Sequence, residues 1–599
     1  MGQSKPERCD VARPVTPIID RAAALELSAS LAYENRLGFA QRFSAAIASS
    51  YSLILSNGPN MPNLAEPPPL DGAMLSPDAR AVAAQIAAGL ETLSPAQVAY
   101  AIGTLYTALL PAPFRAQHGI FYTPPELVEC LLIMAEEAGV DWRTARVLDP
   151  ACGGGAFLIG LAGRMARSLQ GAEPAIVLQS IAARLRGFDL DAFGTWLAQA
   201  MLAIALEPLA RMTGRSLPRL VETRDSLDLD ADEAESCDLV IGNPPYGRIT
   251  LSPERRRQFA RGVYGHANLY GLFTHAALHW LKPGAVIGYV TPTSMLSGLY
   301  YKALRALLAA EAPPLSVNFV SERDGVFADV LQETMLATYR KSGIPVAGNV
   351  GFIDVARRSK MLSRKAGRFT LPATPASPWL LPRTAEQASL ARRLRSMPHR
   401  LADYGYGVST GPLVWNRHKG QFKKKPEAAA IPVIWAEAVT STGRFLWRSE
   451  KRNHAPWFAA TRPKDDWLIV TQPCVLVQRT TAKEQPRRLI AAELPAKFIR
   501  EHRGVTVENH LNMVRGVQPN PSVPPATIAA LLNSAAVDAA FRCLNGSVAV
   551  SAFELEELPL PTATVMAKLA NLVAAGAPPT KIAAAIGAAY GIHDASASS

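Results

Sequence analysis

The chain has 599 residues, of which 49% are hydrophobic and 19% are charged. This length is too great for a single core, and the composition is typical of a globular protein of two or three domains and excludes a disordered chain. A formal net charge of +12 favours a polyanionic partner such as nucleic acid.

The amino terminus and the cysteines indicate the compartment. The first eight residues are polar and lack an apolar signal core, and no uninterrupted apolar stretch reaches membrane-spanning length. The six cysteines form no Cys-x-x-Cys pair, which argues for a reducing compartment and against structural zinc. We therefore expect a cytoplasmic protein with no membrane segment and no metal site.

The first region, residues 1–112, is rich in Ala and Leu at helical spacing, so we predict a helical amino-terminal region. A fused nuclease would need an Asp followed by a Glu-x-Lys set on adjacent strands to hold its metal ion. No such set stands out on predicted strands of this region. A nuclease is therefore not expected here.

A short motif follows at Gly119-Ile120-Phe121-Tyr122-Thr123-Pro124-Pro125-Glu126. Thr123 is a favourable N-cap, the prolines suit a first helical turn, and Glu126 completes a capping box. We predict that a helix begins here and runs to about Ala138.

A glycine-rich turn comes next. A short strand ending in Asp149 runs into Gly153 to Gly155, and a helix is predicted from about Ala156. Glycines let the backbone approach a ligand closely, and the helix start offers unpaired N–H groups. The Gly-Lys-Ser/Thr ending of a Walker-type phosphate loop is absent, and Asp149 would repel a pyrophosphate. The turn therefore favours a cofactor with a positively charged amino acid moiety.

Two further predicted strands end in acids. Asp189 ends the second strand, where ribose hydroxyls are usually bound, whereas Asp191 is better interpreted as the cap of a helix over residues 192–211. The third strand ends close to Asp225, which offers an acceptor to an adenine amino group. Acids at successive strand ends predict a nucleoside-binding edge.

The fourth strand, Leu239 to Ile241, ends abruptly in Gly242-Asn243-Pro244-Pro245-Tyr246. The two prolines forbid further sheet pairing. An amide and an aromatic ring are thereby presented at the carboxyl end of a strand, which is where ligands bind in an open α/β sheet.

The order of elements predicts an α/β fold with a mostly parallel, doubly wound sheet over residues 113–345, ending in an antiparallel, hairpin-like pair of strands. Residues 346–394 are rich in Pro, Ser and Thr and are predicted to be a linker. Residues 395–562 interleave basic and aromatic side chains, which suit phosphate contacts and base stacking in a separate mixed α+β domain. Residues 563–599 are predicted to be a carboxyl-terminal helix and tail. The candidate nucleic-acid contacts are Arg417, Lys419, Lys423, Arg444, Arg448 and Arg479.

The ordered series of Thr123 to Glu126, Asp149 to Gly155, Asp189, Asp225 and Asn243 to Tyr246 resembles the gamma-type adenine-N6 DNA methyltransferases of bacterial restriction-modification systems. The resemblance covers residues 115–342 by its motifs and residues 395–562 by layout. It implies a Rossmann-like, S-adenosylmethionine-dependent methyltransferase sheet followed by a target recognition domain. It also implies double-stranded DNA as the partner, a nucleoid-associated monomer, and a separate cognate restriction endonuclease as a candidate partner.

The resemblance also assigns residues to the cofactor. Tyr122, Thr123, Asp149, Ala151, Gly153 and Gly155 would surround the methionine part of S-adenosylmethionine. Asp189 would hold the ribose hydroxyls and Asp225 the cofactor adenine. An aromatic residue on a later strand packs against the extruded base in that family, which nominates Tyr339, with Phe327 as the second choice.

The catalytic candidates are Asn243, Pro244, Pro245 and Tyr246. An exocyclic adenine amine is a poor nucleophile because its lone pair is delocalised into the ring. The Asn243 amide oxygen and the Pro244 carbonyl can each accept one N–H and free that lone pair, so positioning and acceptors supply the rate without a general base or metal. The Tyr246 ring would stack on the base once it is flipped out of the duplex.

Other functions remain open from the sequence. Asn-Pro-Pro-Tyr also serves methyltransferases that act on protein glutamine, on ribosomal RNA or on cytosine N4, although the last more often has Ser in place of Asn243. The long basic carboxyl half is unexplained by a glutamine methyltransferase. A DNA-binding regulator with a vestigial catalytic domain is a further alternative, against which the intact glycine turn and Asn243 argue.

Overall fold

The computed structural model describes residues 21–592 except 56–63, 71, 112–113, 115–121, 321–332, 345, 355–361, 428–429, 461, 463–464, 482–484, 486, 518–520 and 546–548. The contacts divide the chain into two units. Unit 1 comprises Met1–Pro292 and Ala303–Lys365, and unit 2 comprises Thr293–Lys302 and Ala366–Ser599.

The α-helices of the described residues are α1 (Arg21–Ala29), α2 (Arg36–Leu55), α3 (Pro77–Gly89), α4 (Pro95–Leu109), α5 (Pro125–Glu137), α6 (Ala156–Ser168), α7 (Pro174–Arg184), α8 (Ala192–Ala205), α9 (Glu207–Thr213), α10 (Pro253–Gln258), α11 (Leu269–Trp280), α12 (Ser294–Ser297), α13 (Lys302–Glu311), α14 (Gln387–Arg395), α15 (Ala496–Glu501), α16 (Pro525–Leu532), α17 (Ala535–Leu544), α18 (Ala552–Glu556), α19 (Ala563–Ala574) and α20 (Pro579–Ala589).

The strands are β1 (Val147–Asp149), β2 (Leu185–Asp189), β3 (Val221–Thr223), β4 (Cys237–Gly242), β5 (Arg248–Ile249), β6 (Ala267–Asn268), β7 (Leu281–Pro292), β8 (Pro314–Val320), β9 (Thr334–Arg340), β10 (Gly348–Asp354), β11 (Leu362–Phe369), β12 (Tyr406–Thr410), β13 (Phe422–Lys423), β14 (Ala430–Ile434), β15 (Trp457–Ala459), β16 (Cys474–Gln478), β17 (Ala491–Leu494), β18 (Thr506–Val507) and β19 (Leu511–Gly516).

Unit 1 is built on one large sheet. Its strands, as far as the described residues go, number nine in the order β11-β10-β8-β9-β7-β4-β1-β2-β3. Strands β1 to β4 and β7 pair in parallel, whereas β9 runs antiparallel to both of its neighbours. The predicted α/β class and the antiparallel finish are confirmed. The carboxyl ends of β1 to β4 therefore lie together at one edge of the sheet.

The amino-terminal helices belong to the same core as the sheet. Helices α2 and α4 contact α8, and α4 also contacts α6. Fully buried Phe43 of α2 and Leu105 of α4 lie in one hydrophobic cluster with Ile241 of β4. The predicted helices are present in the described part of residues 1–112, but they do not form a core of their own.

The predicted linker differs from the structure. Residues 346–394 contain β10, which pairs in parallel with β8, and all of β11, which lies at the edge of the sheet. Val350 and Ile353 of β10 are buried. The Pro/Ser/Thr-rich composition that suggested a linker applies mainly to residues 371–378, which follow β11 and lie outside named helices and strands.

The helix predicted over residues 192–211 is interrupted. Asp191 caps α8 as expected, with its side chain accepting the Phe193 N–H at 3.0 Å. Helix α8 ends at Ala205, and α9 begins at Glu207 with Pro208 in its first turn. A proline inside a helix lacks the N–H for the intrahelical bond and clashes with the preceding turn, which explains the break.

Unit 2 contains two four-stranded sheets within its described residues, β12-β19-β16-β17 and β13-β15-β14-β18. Helices α19 and α20 pack through Met566 and Ile586, which are 0% and 2% exposed, into a hydrophobic core that includes side chains of the first of these sheets. The predicted helical carboxyl terminus is thus present as two helices that pack into this core. Within the described ranges no single helix is long and apolar enough to cross a membrane, and two bent helix pairs pass that test only when taken together.

The assignment of β10 to the sheet can be tested by stability. Replacing Ile353 with Ala should lower the free energy of unfolding by about 2–5 kcal/mol, because it leaves a cavity in a packed core. Ile344→Ala is the matched control, since Ile344 is 69% exposed and a surface change should stay within about 0.5 kcal/mol. Urea unfolding of both variants measures the difference, and equal small effects would return this segment to the status of a linker.

Candidate active site

A cavity of about 300 Å³ opens at the edge where strands β1 to β4 end. Six of the eight predicted cofactor residues line it, as do two of the four catalytic candidates. These residues are Tyr122, Thr123, Ala151, Gly153, Asp189, Asp225, Asn243 and Pro245. Asp149, Gly155, Pro244 and Tyr246 are absent from the cavity wall. The structure thus brings most of the predicted set to one site.

The glycine turn is shaped by backbone conformation and by close contacts. Gly153 and Gly155 have φ values of 49° and 86°, which other residues rarely adopt. A Cβ on Gly154 would lie 2.4 Å from the Tyr122 ring. Gly155 precedes α6 and approaches Ala198 of α8 so closely that a Cβ would lie 3.1 Å away. Gly155 thus packs behind the turn and does not line the cavity, and its predicted contact with the cofactor stays a prediction.

Asp149 lies beneath the turn and is 1% exposed. Its Oδ1 accepts the Ala151 N–H at 3.1 Å, while its Oδ2 is buried without a partner. A Cβ on Gly242 would lie 2.5 Å from Oδ1, so the end of β4 needs glycine to pass this carboxylate. Burial raises the pKa of Asp149 well above its usual range, and the charge of Asp189 adds to this.

Asp189 at the end of β2 faces the cavity. Its Oδ2 accepts the Gly153 N–H at 2.8 Å and its Oδ1 accepts the Asp191 N–H at 2.9 Å. Burial raises its pKa, and these backbone bonds act in the opposite direction. Each carboxylate oxygen accepts one hydrogen bond and keeps a lone pair. The two oxygens can therefore accept hydrogen bonds from two vicinal hydroxyl groups.

Asp225 is held by a residue that the sequence did not nominate. Arg255 of α10 donates to Asp225 Oδ2 at 2.7 Å and to Asp228 Oδ1 at 2.6 Å. The Leu227 N–H binds Asp225 Oδ1 at 2.9 Å. Arg255 itself lines the cavity. Its distance in sequence from Asp225 and its place in a run of arginines gave no signal for this pairing.

The Asn243 amide is held from two sides. Its Nδ2 donates to the Thr123 hydroxyl at 3.1 Å, and its Oδ1 accepts the Tyr246 hydroxyl at 2.8 Å. The predicted capping box is wrong, because α5 begins at Pro125 after Pro124 and has no side-chain cap. Thr123 is buried and bonds across 120 residues instead. A tertiary partner has replaced the local one.

The Tyr246 ring packs edge-on against Tyr270, with centroids 5.9 Å apart. Burial raises the pKa of its phenol, so the hydroxyl stays protonated and remains a donor to Asn243. The Val290 carbonyl lies 3.3 Å from the same hydroxyl. Tyr246 is therefore fixed by both its ring and its hydroxyl.

Tyr339 and Phe327 were the two candidates on a later strand for packing against the extruded base. Tyr339 is 0% exposed inside β9, where it pairs with Ile287 and does not line the cavity. Contact with an extruded base is therefore not possible for Tyr339 in this conformation, because neighbouring strands and helices cover it. Phe327 lies outside the described residues.

The amino-terminal helices contribute to the cavity, which the sequence did not reveal. Tyr106 of α4 lines it and packs on Phe193 of α8 at a centroid distance of 5.0 Å. A Cβ on Gly103 of α4 would lie 2.1 Å from the Tyr122 ring. Tyr122 is thus clamped between α4 and the glycine turn. The sequence offers one signal for this contribution, a glycine and a tyrosine three residues apart on the same helix. That spacing is equally typical of a packed core.

The comparison with known proteins bears on this site. Residues 215–327 match the family model described as the Eco57I restriction-modification methylase. The Type II methyltransferase M.BsuBI of Bacillus subtilis is 24% identical over 353 residues, which are 58% of this chain and 70% of that protein. Over these residues the chain is similar to restriction-modification methyltransferases.

Two further similarities agree with this assignment. The Type II methyltransferase M.PstI of Providencia stuartii is 24% identical over 348 residues, covering 56% of this chain and 66% of that protein. The solved structure of the Type IIL restriction-modification enzyme MmeI in complex with DNA has a TM-score of 0.54 at 13% identity, and covers 97% of this chain and 96% of that chain. At that identity the likeness concerns the fold alone.

The candidate DNA contacts of this methyltransferase all lie in unit 2. Arg417, Lys419 and Arg444 are exposed, and Lys419 lies over the Trp415 ring at 5.3 Å. Three others are engaged within the unit. Lys423 pairs with Glu427, Arg448 binds the Glu437 carbonyl and Glu450, and Arg479 binds the Asn509 carbonyl.

Among the residues that the structure describes, no group of three or more His, Cys, Asp or Glu residues is suited to hold a metal ion.

Asp149 gives the stability of this chain a measurable pH dependence. Because its folded-state pKa is raised above the unfolded value of about 3.9, the folded state loses stability as pH rises from that value through the folded-state pKa. Asp149→Asn should therefore raise the free energy of unfolding of the cofactor-free chain at neutral pH, and the gain should shrink as pH falls towards 4. Urea unfolding across this pH range is the measurement.

The exposed Asp232 provides the control. Asp232→Asn should give no comparable pH-dependent gain. A gain from Asp149→Asn that stayed constant with pH would contradict the account of Asp149 as an uncompensated buried carboxylate.

Proposed function

We propose that the chain is a site-specific DNA methyltransferase that transfers a methyl group from S-adenosylmethionine to the N6 amine of an adenine flipped out of double-stranded DNA. The observation that carries this proposal is the doubly held Asn243 amide at the wall of the cavity that Asp189 and Asp225 also line. An amine acceptor and a nucleoside-binding edge meet there. That combination suits methyl transfer to a nitrogen of a planar amine.

The residues fit S-adenosylmethionine by size and chemistry. The cavity of about 300 Å³ falls at the lower end of the usual range for ligand pockets, about 300–1,000 Å³. Asp189 offers carboxylate lone pairs suited to the ribose hydroxyls, and Asp225 offers one suited to the adenine amine. The Oδ2 of Asp149 is buried beneath the turn without a partner. A nearby ammonium group would stabilise the ionised carboxylate there, whereas a phosphate would destabilise it.

The acceptors at Asn243 and Pro244 would prepare the target amine. Asn243 Oδ1 accepts one hydrogen bond from Tyr246 and retains a second lone pair for an amine N–H. The Pro244 carbonyl would accept the other N–H. These bonds pull the nitrogen towards tetrahedral geometry, so its lone pair can form the new N–C bond as the sulfur–methyl bond breaks.

S-adenosylmethionine supplies the methyl group as an electrophile when it is bound. The methylated nitrogen would give up one proton to water and so regain its lone pair, and the electron pair of the broken bond would leave with the neutral thioether product. Asn243 and Pro244 would hold that proton-bearing nitrogen throughout. Preorganised acceptors of this kind lower the barrier because they need no rearrangement during the reaction.

Unit 2 would supply recognition of the DNA sequence. Exposed Arg417, Lys419 and Arg444 suit contacts with phosphates, and Trp415 beside Lys419 suits stacking. Stacking of the flipped adenine on Tyr246 remains a prediction, as do the monomeric state and a separate cognate restriction endonuclease. The Asn at position 243 favours adenine over cytosine N4.

The direct test is to express the chain in a methylation-free bacterial host and sequence its DNA by a method that detects N6-methyladenine. We expect methylation at one short recurring motif. Asn243→Ala should abolish it while leaving cofactor affinity within about threefold by calorimetry, because the amide serves the acceptor. Unmodified DNA from the wild-type host would refute the proposal, and loss of cofactor affinity in Asn243→Ala would refute the role given to the amide.

Thr123 should act as a positioning residue for Asn243. Thr123→Val keeps the shape but removes the hydroxyl, so we expect a fall in kcat of about 10- to 100-fold from an amide that is free to rotate, with a smaller change in KM for DNA. Thr123→Ser restores the hydroxyl and should recover most of kcat. Steady-state methyl incorporation into DNA measures both. Equal kcat values for the Val and Ser variants would show that the hydroxyl does not position the amide.

A further inference from the structure

The segment between the catalytic candidates and α11, residues 247–268, is the arginine loop. It leaves the sheet directly after Tyr246 and returns to α11 through the short antiparallel pair of β5 and β6. Between these strands lies α10. Residues 248–266 contain five arginines and one glutamate, a formal charge of +4, whereas all 599 residues together carry +12.

The inner side of the arginine loop is anchored to the cavity. Arg255 pairs with Asp225 and Asp228, and both Ile249 and Arg255 line the cavity wall. Phe259 is 1% exposed and packs edge-on against His275 of α11 at 5.3 Å. These contacts hold the loop in place against the site rather than leaving it as a solvated chain.

The outer side of α10 presents two arginines, Arg256 and Arg257, whereas Arg261 of the same loop pairs with Glu311. Arg256 is exposed and donates through Nη1 and Nη2 to the Gly265 carbonyl, each at 3.2 Å, which leaves its charge unneutralised. Arg257 pairs with Glu254 at 3.3 Å, but both side chains are 72% exposed. Exposed pairs of this kind contribute little and yield readily to a stronger anion.

We infer that the arginine loop binds the phosphate backbone of duplex DNA beside the target adenine, through Arg256 and Arg257. This inference rests on the proposed function for the choice of DNA as the polyanion. It places a phosphate-binding element in unit 1, separate from the contacts predicted in unit 2. Arginine is suited to it because its planar guanidinium binds phosphate oxygens in a bidentate manner.

A binding step next to the catalytic motif also has a physical purpose. Flipping a base costs a few kcal/mol of stacking and pairing energy. Phosphate contacts adjoining the flipped nucleotide would hold its backbone in the extruded geometry. They carry no sequence information, so they should support cognate and non-cognate DNA alike.

The test compares Arg256→Gln/Arg257→Gln with the wild-type full-length chain on a fluorescein-labelled 30-base-pair duplex of arbitrary sequence. Each lost phosphate contact reduces the slope of log affinity against log salt by about 0.9, so the double variant should lose about 1.8 in slope and about 30-fold in affinity at 0.15 M salt. Affinity for S-adenosylmethionine should not change. Arg256→Lys/Arg257→Lys keeps the charge and should retain most of the slope.

The matched control is Arg211→Gln/Arg215→Gln. It removes the same charge from exposed arginines at and after α9, outside the arginine loop, and should leave the slope unchanged. If the first double variant does not fold, Arg257→Gln alone should give half the slope change.

Two outcomes would overturn the inference. An unchanged slope in the Gln variant is one, and an equal slope change in the control is the other, since the effect would then follow overall charge. Loss of affinity for an RNA duplex of the same sequence, with DNA affinity unchanged, would assign the loop to RNA instead. Binding to an arbitrary duplex requires no methyl transfer, so failure of the proposed function would appear separately, as unmodified host DNA.

Discussion

The candidate site depends on the orientation of one amide group. Asn243 can accept a hydrogen bond from a target amine only if its oxygen, and not its nitrogen, faces that amine. The Thr123 hydroxyl accepts a hydrogen bond from Asn243 Nδ2, and the Tyr246 hydroxyl donates one to Oδ1. If the amide turned by 180°, its NH2 group would face the O–H group of Tyr246, and two donors would meet unless the hydroxyl rotated away. Because Thr123 also lines the cavity, a displacement of the cavity wall at Thr123 would also disturb the orientation of the Asn243 amide.

The three acids at the strand ends share an edge, but their environments differ. Asp149 has one N–H partner and a bare oxygen, Asp189 has two backbone N–H partners, and Asp225 has an arginine. A buried carboxylate is costly unless it is paired or hydrogen-bonded. Compensation is therefore weakest at Asp149 beneath the glycine turn, where burial disfavours the ionised carboxylate unless a cation lies nearby. The part of a ligand that carries positive charge is therefore favoured at that end.

Much of the site was predictable because its signals are local. Strand ends, a glycine turn and the Asp191 cap depend on neighbours in sequence, and each lies where the sequence indicated. Thr123 was misassigned because a capping box is also a local pattern, and only the fold shows that a partner 120 residues away competes for the hydroxyl. Strand β10 and the edge strand β11 were missed because they give only a weak period-two pattern and a Pro-rich stretch follows them.

Two residues of the cavity wall, Tyr106 and Arg255, were not predicted for a different reason. Tyr106 looks like an ordinary core residue of an Ala-rich helix, and its place in the cavity follows from α4 packing on α6 and α8. Arg255 looks like one member of a solvated arginine run. Both acquire their roles from contacts between segments that are far apart in sequence, so no pattern within either segment could have predicted them.

The arginine run also explains how one short helix can serve two partners. An α-helix advances by about 100° per residue, so consecutive arginines at 255, 256 and 257 project in three directions. Arg255 can be paired with Asp225 and Asp228 at the cavity wall while Arg256 and Arg257 remain exposed. Pairing of the inner arginine therefore does not compete with phosphate binding by the outer two. The ion pairs of Arg255 with Asp225 and Asp228 also hold the helix backbone from which Arg256 and Arg257 project. Phosphate binding by these two arginines would therefore leave the ion pairs at the cavity wall intact.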